Sequence, residues 1–147
     1  MVETKTSGFA DGLHRAKRET AAVRVLLAED DVEMRRLLAS ALRNNRYEVV
    51  EAADGKELID RVSESLLNGR PVDLIVTDVR MPRMTGTDVM KFINRAGIDV
   101  PVIVITAFGD HATRIDAYLH GAVAVLDKPF EVERFMDEVG RLRFRSE

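Results

Sequence analysis

Acidic residues follow short apolar runs of this chain, and a threonine and a lysine close later runs. These residues are Glu29, Asp30, Asp78, Thr106 and Lys128. Two unit charges ~4 Å apart repel by about 4 kcal/mol at an effective dielectric of about 20, so a group of carboxylates is costly unless a cation joins it. Mg²⁺ binds carboxylates together with water and phosphate oxygens. The set therefore suits a divalent cation and a phosphoryl group, with Asp78 as the nucleophile.

The elements that must position these residues are short strands alternating with amphipathic helices. Apolar runs predict five strands, over residues 23–28, 47–52, 72–77, 100–106 and 123–126. Apolar residues at helical spacing predict five helices, over residues 32–44, 55–67, 85–96, 111–120 and 132–144. The first helix is expected to place Arg35, Arg36 and Arg43 on its outer face, and the fourth carries the apolar residues Ile115, Tyr118 and Leu119.

This alternation predicts an α/β fold with a doubly wound, five-stranded parallel sheet, of the flavodoxin-like type. Strands joined through helices run parallel, and both faces of the sheet are covered. The order 2-1-3-4-5 places the most apolar strands, one, three and four, at the centre. Ligands of such sheets bind outside the carboxyl ends of the strands, where the order reverses. The acidic residues after strands one and three fall at that crevice.

Composition indicates one globular domain. The chain has 147 residues, of which 46% are hydrophobic and 32% are charged. We expect the domain to occupy residues 23–147 after a flexible or partly helical N-terminal extension, residues 1–22, which has no signal-peptide pattern. The net charge of −3 gives no reason to expect direct nucleic-acid binding. Cysteine is absent, which fits a cytoplasmic protein, and no apolar run is long enough to span a membrane.

Each site residue also has a purely structural interpretation. Asp30 or Asp31 can cap the following helix, and Asp30 with Glu33 resembles a capping box. An aspartate at the end of a strand often bonds to a turn, which is the alternative for Asp78. A lone lysine or threonine after a strand is usually a solvated or strand-end residue. The placement of all these residues at one edge favours the chemical interpretation. His111 and His120 face no obvious acidic partner and His14 lies in the N-terminal extension, so no metal site is predicted from the histidines.

Four motifs, in this order and spacing, resemble the receiver domain of two-component response regulators, as in chemotaxis regulators. The resemblance covers residue 23 to about residue 144. The motifs are Leu27-Ala28-Glu29-Asp30-Asp31, Thr77-Asp78-Val79-Arg80-Met81-Pro82 with Met84 and Gly86, Thr106-Ala107, and Lys128-Pro129-Phe130.

The resemblance implies a signalling protein that is not an enzyme acting on other substrates. Asp78 would accept a phosphoryl group from a histidine kinase or phosphotransfer protein. Mg²⁺, with Mn²⁺ as a substitute, would bind Asp30, Asp78 and the backbone carbonyl of Arg80, and Glu29 would act through water. Thr106 and Lys128 would contact the phosphoryl oxygens. The bond from Lys128 to the following proline is cis in such domains.

Phosphorylation in this family changes the surface of helix four, strand five and helix five, and this implies binding to a partner or formation of a homodimer. The chain departs from the family at Val125, where a tyrosine or phenylalanine usually takes part in switching. We therefore expect no ring flip. Arg80 and Phe108 occupy positions that tune dephosphorylation, and their bulk is expected to slow the approach of water. The sequence identifies neither the kinase nor the output.

Two other classes of protein compete with a phosphorylated receiver. An aspartate-nucleophile phosphatase would carry a second aspartate two residues after Asp78, where this chain has Arg80. A degenerate receiver that only docks to a partner would have lost an acid or the lysine, and none is lost. Neither G-x-G-x-x-G nor G-x-x-x-x-G-K-[ST] follows a strand, so a nucleotide site is not predicted.

Overall fold

The strands of the main sheet form from the predicted apolar runs. The computed structural model describes residues 22–81, 84–107 and 110–144. We number the strands of this sheet in chain order: β1 Arg24–Ala28, β2 Glu48–Ala52, β3 Leu74–Asp78, β4 Val102–Ala107 and β5 Ala124–Lys128. The predicted extension over residues 1–22 lies, apart from residue 22, outside the described residues.

The sheet has the predicted doubly wound topology. All neighbouring strands are parallel, in the order β2-β1-β3-β4-β5. Every residue of β3 is buried, as expected of a central strand covered on both faces. Ala28 at the end of β1 pairs with Ala52 of β2 and with Thr77 of β3. The carboxyl ends of the central strands are therefore level with one another.

Helices cover both faces of the sheet, and alternate residues of β1 divide the core accordingly. The helices are α1 Val32–Asn44, α2 Gly55–Leu67, α3 Gly86–Arg95, α4 His111–Leu119 and α5 Val132–Gly140. Val25 and Leu27 pack with apolar residues of α1 and α5, whereas Leu26 and Ala28 pack with those of α2, α3 and α4. Within the described ranges, no helix has the length and apolar character that a membrane span requires.

Some predicted element ends differ from the structure. α5 ends at Gly140, four residues before the predicted end, and the chain then leaves the helix axis so that Phe144 packs into the core at 7% exposure. β5 continues through Asp127 and Lys128 because these residues pair with the end of β4. After β3, Arg80–Met81 pairs antiparallel with Met84–Thr85 in a second, two-stranded sheet, and residues 82 and 83 lie outside the described part of the chain.

The apolar residues of α4 are not a core-facing stripe. Ile115, Tyr118 and Leu119 are 60%, 46% and 79% exposed, and Ala117 is the buried residue of this helix. The expectation that the histidines lack acidic partners is wrong for His120. Its Nδ1 atom lies 3.3 Å from Oδ1 of Asp116, one helical turn earlier.

Candidate functional site

The carboxyl ends of four strands bring the predicted site residues to one edge of the sheet. Glu29 and Asp30 follow β1, Asp78 is the last residue of β3, and Lys128 is the last residue of β5. Thr106 lies one residue before the end of β4. Because the strands are parallel and in register, their ends meet at the same edge. The predicted convergence of these residues is confirmed.

Three carboxylates form a compact cluster at this edge. One oxygen from each of Glu29, Asp30 and Asp78 lies within 4.8 Å of the other two. Glu29 is fully buried and Asp78 is 5% exposed, whereas Asp30 is exposed. Hard divalent cations prefer such oxygen ligands, and an exposed carboxylate beside buried ones leaves room for water on the cation. The donor set fits Mg²⁺.

The Lys128 ammonium group lies between the two buried carboxylates. Its Nζ atom is 2.6 Å from Oε1 of Glu29 and 2.7 Å from Oδ2 of Asp78. A single ammonium group therefore contacts two buried carboxyl groups. Isolated buried charges are strongly disfavoured, so the pairing is required for either carboxylate to ionise inside the fold.

The pKa values of Glu29 and Lys128 reflect how charge is balanced in this cluster. Burial, followed by the hydrogen bond and charge of Asp78, raises the pKa of Glu29 from 4.5 to about 8, although Lys128 acts in the opposite direction. Burial alone lowers the pKa of Lys128, but its hydrogen bonds to Asp78 and Glu29 outweigh this and raise the pKa above 10.5. The cluster lacks positive charge, and a divalent cation would supply it.

The two oxygens of Asp78 have different partners. Oδ2 accepts a hydrogen bond from Lys128, and Oδ1 accepts one from the backbone N–H of Arg80 at 2.9 Å. The strand-end turn considered from the sequence is therefore present, together with the lysine contact. The Arg80 guanidinium forms an ion pair with Asp110, the N-cap of α4, at 3.3 Å. Its effect on water near Asp78 stays a prediction, and Phe108 lies outside the described residues.

Thr106 has a buried hydroxyl without a hydrogen-bond partner in the part of the chain that the structure describes. It is fully buried, and Oγ1 has no hydrogen-bond partner among the described residues. By contrast, the equally buried Thr77 donates a hydrogen bond to the carbonyl of Asp78 at 3.0 Å. A buried polar atom without a partner costs about 1–3 kcal/mol. An incoming group with acceptor oxygens at this edge would satisfy the Thr106 hydroxyl.

Comparison with known proteins identifies this arrangement. Residues 25–140 match the sequence model of the family described as "Response regulator receiver domain". The chain belongs to this family. It is thus a receiver domain of two-component signalling systems, as the resemblance predicted.

Relatives of known sequence and structure agree with this assignment. Response regulator MprA of Mycobacterium sp. strain KMS is 36% identical over 124 residues, which are 84% of this chain and 52% of that protein. MprA of Mycobacterium tuberculosis strain H37Ra is 34% identical over 125 residues, 85% of this chain and 52% of that protein. The receiver chain spans about half the length of these curated relatives.

Solved receiver structures share the fold. Chemotaxis protein CheY4 of Vibrio cholerae superposes with a TM-score of 0.75 at 27% identity, covering 84% of this chain and all of that one. The non-phosphorylated HemR receiver domain of Leptospira biflexa superposes with a TM-score of 0.69 at 30% identity, covering 80% of this chain and 91% of that one.

Two features of the receiver bear on expectations drawn from the family. The Lys128–Pro129 peptide bond is cis, as predicted. Val125 is 3% exposed and packs in the core, on the cluster shared with α2, α3 and α4. A branched aliphatic side chain thus occupies the position where the family usually has a ring.

The structure decides between the two capping residues that the sequence offers, and it corrects the predicted placement of Arg35. Asp31, and not Asp30, caps α1, because its carboxylate accepts a hydrogen bond from the backbone N–H of Met34 at 3.1 Å. Asp30 is therefore free to join the acidic cluster. Arg35 does not lie on an outer face, since its Nη1 atom donates to the backbone carbonyl of Glu29 at 2.8 Å. The sequence signal for this contact is the position of Arg35 four residues after the N-cap, because long side chains in a helix point back toward its N-terminus.

Proposed function

We propose that this receiver accepts a phosphoryl group on Asp78 from a histidine kinase or phosphotransfer protein, with Mg²⁺ or Mn²⁺ as cofactor. The observation that carries the proposal is the contact of Lys128 with both Glu29 and Asp78, at 2.6 and 2.7 Å, beside the exposed carboxylate of Asp30. This group combines the proposed nucleophile, the ammonium group of Lys128 and the proposed acidic metal ligands at one edge of the sheet. We propose residues 23–147 as the extent of the functional unit.

The residues that would hold Mg²⁺ are Asp30, Asp78 and the backbone carbonyl of Arg80, with Glu29 acting through water. When bound, the cation would neutralise charge on the transferred phosphoryl group. Cation binding favours the ionised carboxyl of Glu29, whose pKa is raised to about 8 without a metal. Glu29 would therefore release a proton to solvent as the site fills.

Asp78 would act as the nucleophile. A carboxylate oxygen forms the new bond to phosphorus while the bond from phosphorus to the donor's imidazole nitrogen breaks, and that nitrogen keeps the electron pair. The backbone N–H of Arg80, at 2.9 Å from Oδ1, holds the carboxylate in one orientation before attack. Lys128 would turn from the carboxylate to a phosphoryl oxygen, and Thr106 would donate its unused hydrogen to another.

Signalling would follow from a change in the surface formed by α4, β5 and α5. Ile115, Tyr118 and Leu119 present exposed apolar area there. We propose that phosphorylation makes this surface competent for a partner or for a second copy of the chain. The domain then acts as a cytoplasmic signalling protein that catalyses only its own phosphorylation and dephosphorylation, without direct contact with nucleic acid or membrane.

The experiment that tests this function is incubation of the protein with acetyl phosphate and Mg²⁺, followed by intact-mass and size-exclusion measurements. We expect the wild type to gain the mass of one phosphoryl group and Asp78→Asn to gain none. Asp127→Asn is a matched control, since Asp127 lies at the same sheet edge but pairs with Arg114 at 2.9 Å. Equal labelling of wild type and Asp78→Asn would refute the nucleophile, and no labelling of any protein would favour a docking module.

A further inference from the structure

Arg35 connects residues 29–31, the acidic segment that follows β1, to β2, the edge strand of the sheet. Its Nη1 atom donates to the backbone carbonyl of Glu29 at 2.8 Å, and its Nε atom donates to Oε1 of Glu51, on β2, at 3.3 Å. The side chain of Arg35 is 17% exposed, so the guanidinium is largely removed from solvent. One side chain thus links α1, β2 and the segment that follows β1.

The start of α1 explains why Arg35 reaches this carbonyl. Asp31 caps the helix, and its carbonyl accepts the backbone N–H of Arg35 at 2.9 Å. Long side chains in a helix point back toward its N-terminus and cover the preceding turn. From the second turn of α1, Arg35 therefore projects over the segment from Glu29 to Asp31.

The carbonyl that Arg35 binds belongs to the peptide unit between Glu29 and Asp30. The N–H on the other side of Glu29 is held separately, because it donates to the carbonyl of Ala52 at 3.0 Å. The N–H of Asp31, which donates to Oε2 of Glu29 at 3.4 Å, belongs to the next peptide unit, so the hydrogen bond that the carbonyl of this peptide accepts among the described residues is the one from Arg35. Rotation of the peptide would move both acidic side chains relative to Asp78.

Glu51 offsets the positive charge of Arg35 beside the proposed metal site. It pairs with Arg35 at 3.3 Å and with Arg43 at 3.2 Å, so a negative charge lies directly beside the guanidinium of Arg35. Arg43 also donates to the carbonyl of Val49, which fixes this pairing to β2. A positive charge placed here only for its field would weaken cation binding. The contacts indicate a geometric role instead.

We propose that Arg35, anchored by Glu51, is a positioning residue that orients the peptide between Glu29 and Asp30 for metal binding. The inference rests on the proposed function, because it assumes that the acidic cluster binds Mg²⁺. Groups that orient metal ligands without touching the metal typically change metal affinity by 10–100-fold when they are removed. We expect a loss of about tenfold in Mg²⁺ affinity when Arg35 loses its two-sided contact.

The test is titration of Mg²⁺ into the whole chain by calorimetry, with urea unfolding in EDTA to show that each variant is folded. Arg35→Lys keeps the charge but cannot bind two acceptors with a planar fork, so its affinity should fall about tenfold. Arg36→Lys is the matched control, because Arg36 is the exposed neighbour on the same helix, and its affinity should not change. Arg35→Ala should also bind Mg²⁺ more weakly, although it removes a positive charge.

A second pair of variants keeps the test decisive if the Arg35 changes disturb folding. Glu51→Gln removes the anchor, whereas Glu48→Gln removes the same charge from the same strand, where Glu48 pairs with Arg70 at 2.8 Å. Only Glu51→Gln should weaken Mg²⁺ binding substantially.

Each remaining outcome has a distinct meaning. Wild-type affinity in Arg35→Lys, or tighter binding in Arg35→Ala, would overturn the positioning role while the proposed function stands. Equal losses in Glu51→Gln and Glu48→Gln would also overturn it, because charge alone would then explain both. Absence of Mg²⁺ binding by the wild type would overturn the proposed function and this inference together.

Discussion

Replacing Glu29 by glutamine should change how stability depends on pH. Glu29 is fully buried, and burial beside Asp78 raises its pKa from 4.5 to about 8. Between these two values the folded state holds a proton on this carboxyl that the unfolded state has lost. The contribution of Glu29 to the free energy of unfolding of the metal-free wild type therefore falls as pH rises through this interval. Glutamine has the same shape and does not titrate, so Glu29→Gln lacks this contribution.

The size of the effect follows from the pKa difference. One proton taken up by the folded state changes the free energy of unfolding by at most about 1.4 kcal/mol per pH unit. The advantage of Glu29→Gln over the wild type should thus grow by up to ~4 kcal/mol between about pH 5 and about pH 8. Lys128 does not contribute in this interval, because its raised pKa lies above 10.5. Saturating Mg²⁺ should remove the effect, since the cation takes the place of the proton.

The assay is urea unfolding of wild type and Glu29→Gln in EDTA at several pH values across this interval. The difference between the two free energies reports Glu29 together with its contacts to Asp78 and Lys128, because the titrating groups elsewhere in the chain are shared. Parallel pH profiles for the two proteins would refute the argument that burial keeps this carboxyl protonated. If the wild type instead gains stability relative to Glu29→Gln as pH rises, the fold lowers the pKa of Glu29 and does not raise it.

Three further predictions test separate parts of the site and fold. Asp30→Asn should abolish most of the rise in melting temperature caused by millimolar Mg²⁺, measured by calorimetry, and a full rise would exclude Asp30 as a ligand. Thr106→Val should raise the free energy of unfolding by about 1 kcal/mol, since it removes a buried hydroxyl that has no partner among the described residues, yet it should slow labelling by acetyl phosphate. Gly55→Ala should lower the free energy of unfolding in urea by about 1–3 kcal/mol, because a Cβ there would overlap Cβ of Met84. A Cβ at Gly140 would meet no atom of the described residues within 4 Å, so Gly140→Ala should not destabilise. Equal effects of the two glycine substitutions would contradict the packing argument.

The sheet, and the edge at which the site residues meet, could be predicted because buried parallel strands have a simple sequence pattern. Each central strand is a short apolar run, and the run ends where a polar side chain must face the crevice, as at Asp78. The order of the strands followed from the most apolar runs being central. The pairing of Lys128 with Asp78 then required only that β3 and β5 end at the same edge.

Side-chain direction and solvent exposure were harder to predict. The spacing of Ile115 and Leu119 indicates a helix, but spacing alone does not say whether the apolar face meets the core, and both residues are exposed. The cap could lie at either of two adjacent aspartates, and only the backbone conformation at Asp31 decides it. The charge of Arg35 predicts that its side chain is exposed to solvent. In the structure the side chain instead donates a hydrogen bond to a backbone carbonyl near the start of α1.

The most direct test of the central claim is peptide mapping of the phosphoryl group after labelling with acetyl phosphate, in parallel samples with Mg²⁺ and with EDTA. The acyl phosphate can be reduced with borohydride so that its position survives digestion. The account predicts one modified residue, Asp78, in the Mg²⁺ sample and none in EDTA. A label on another residue, or equal labelling of Asp78 in EDTA, would contradict it.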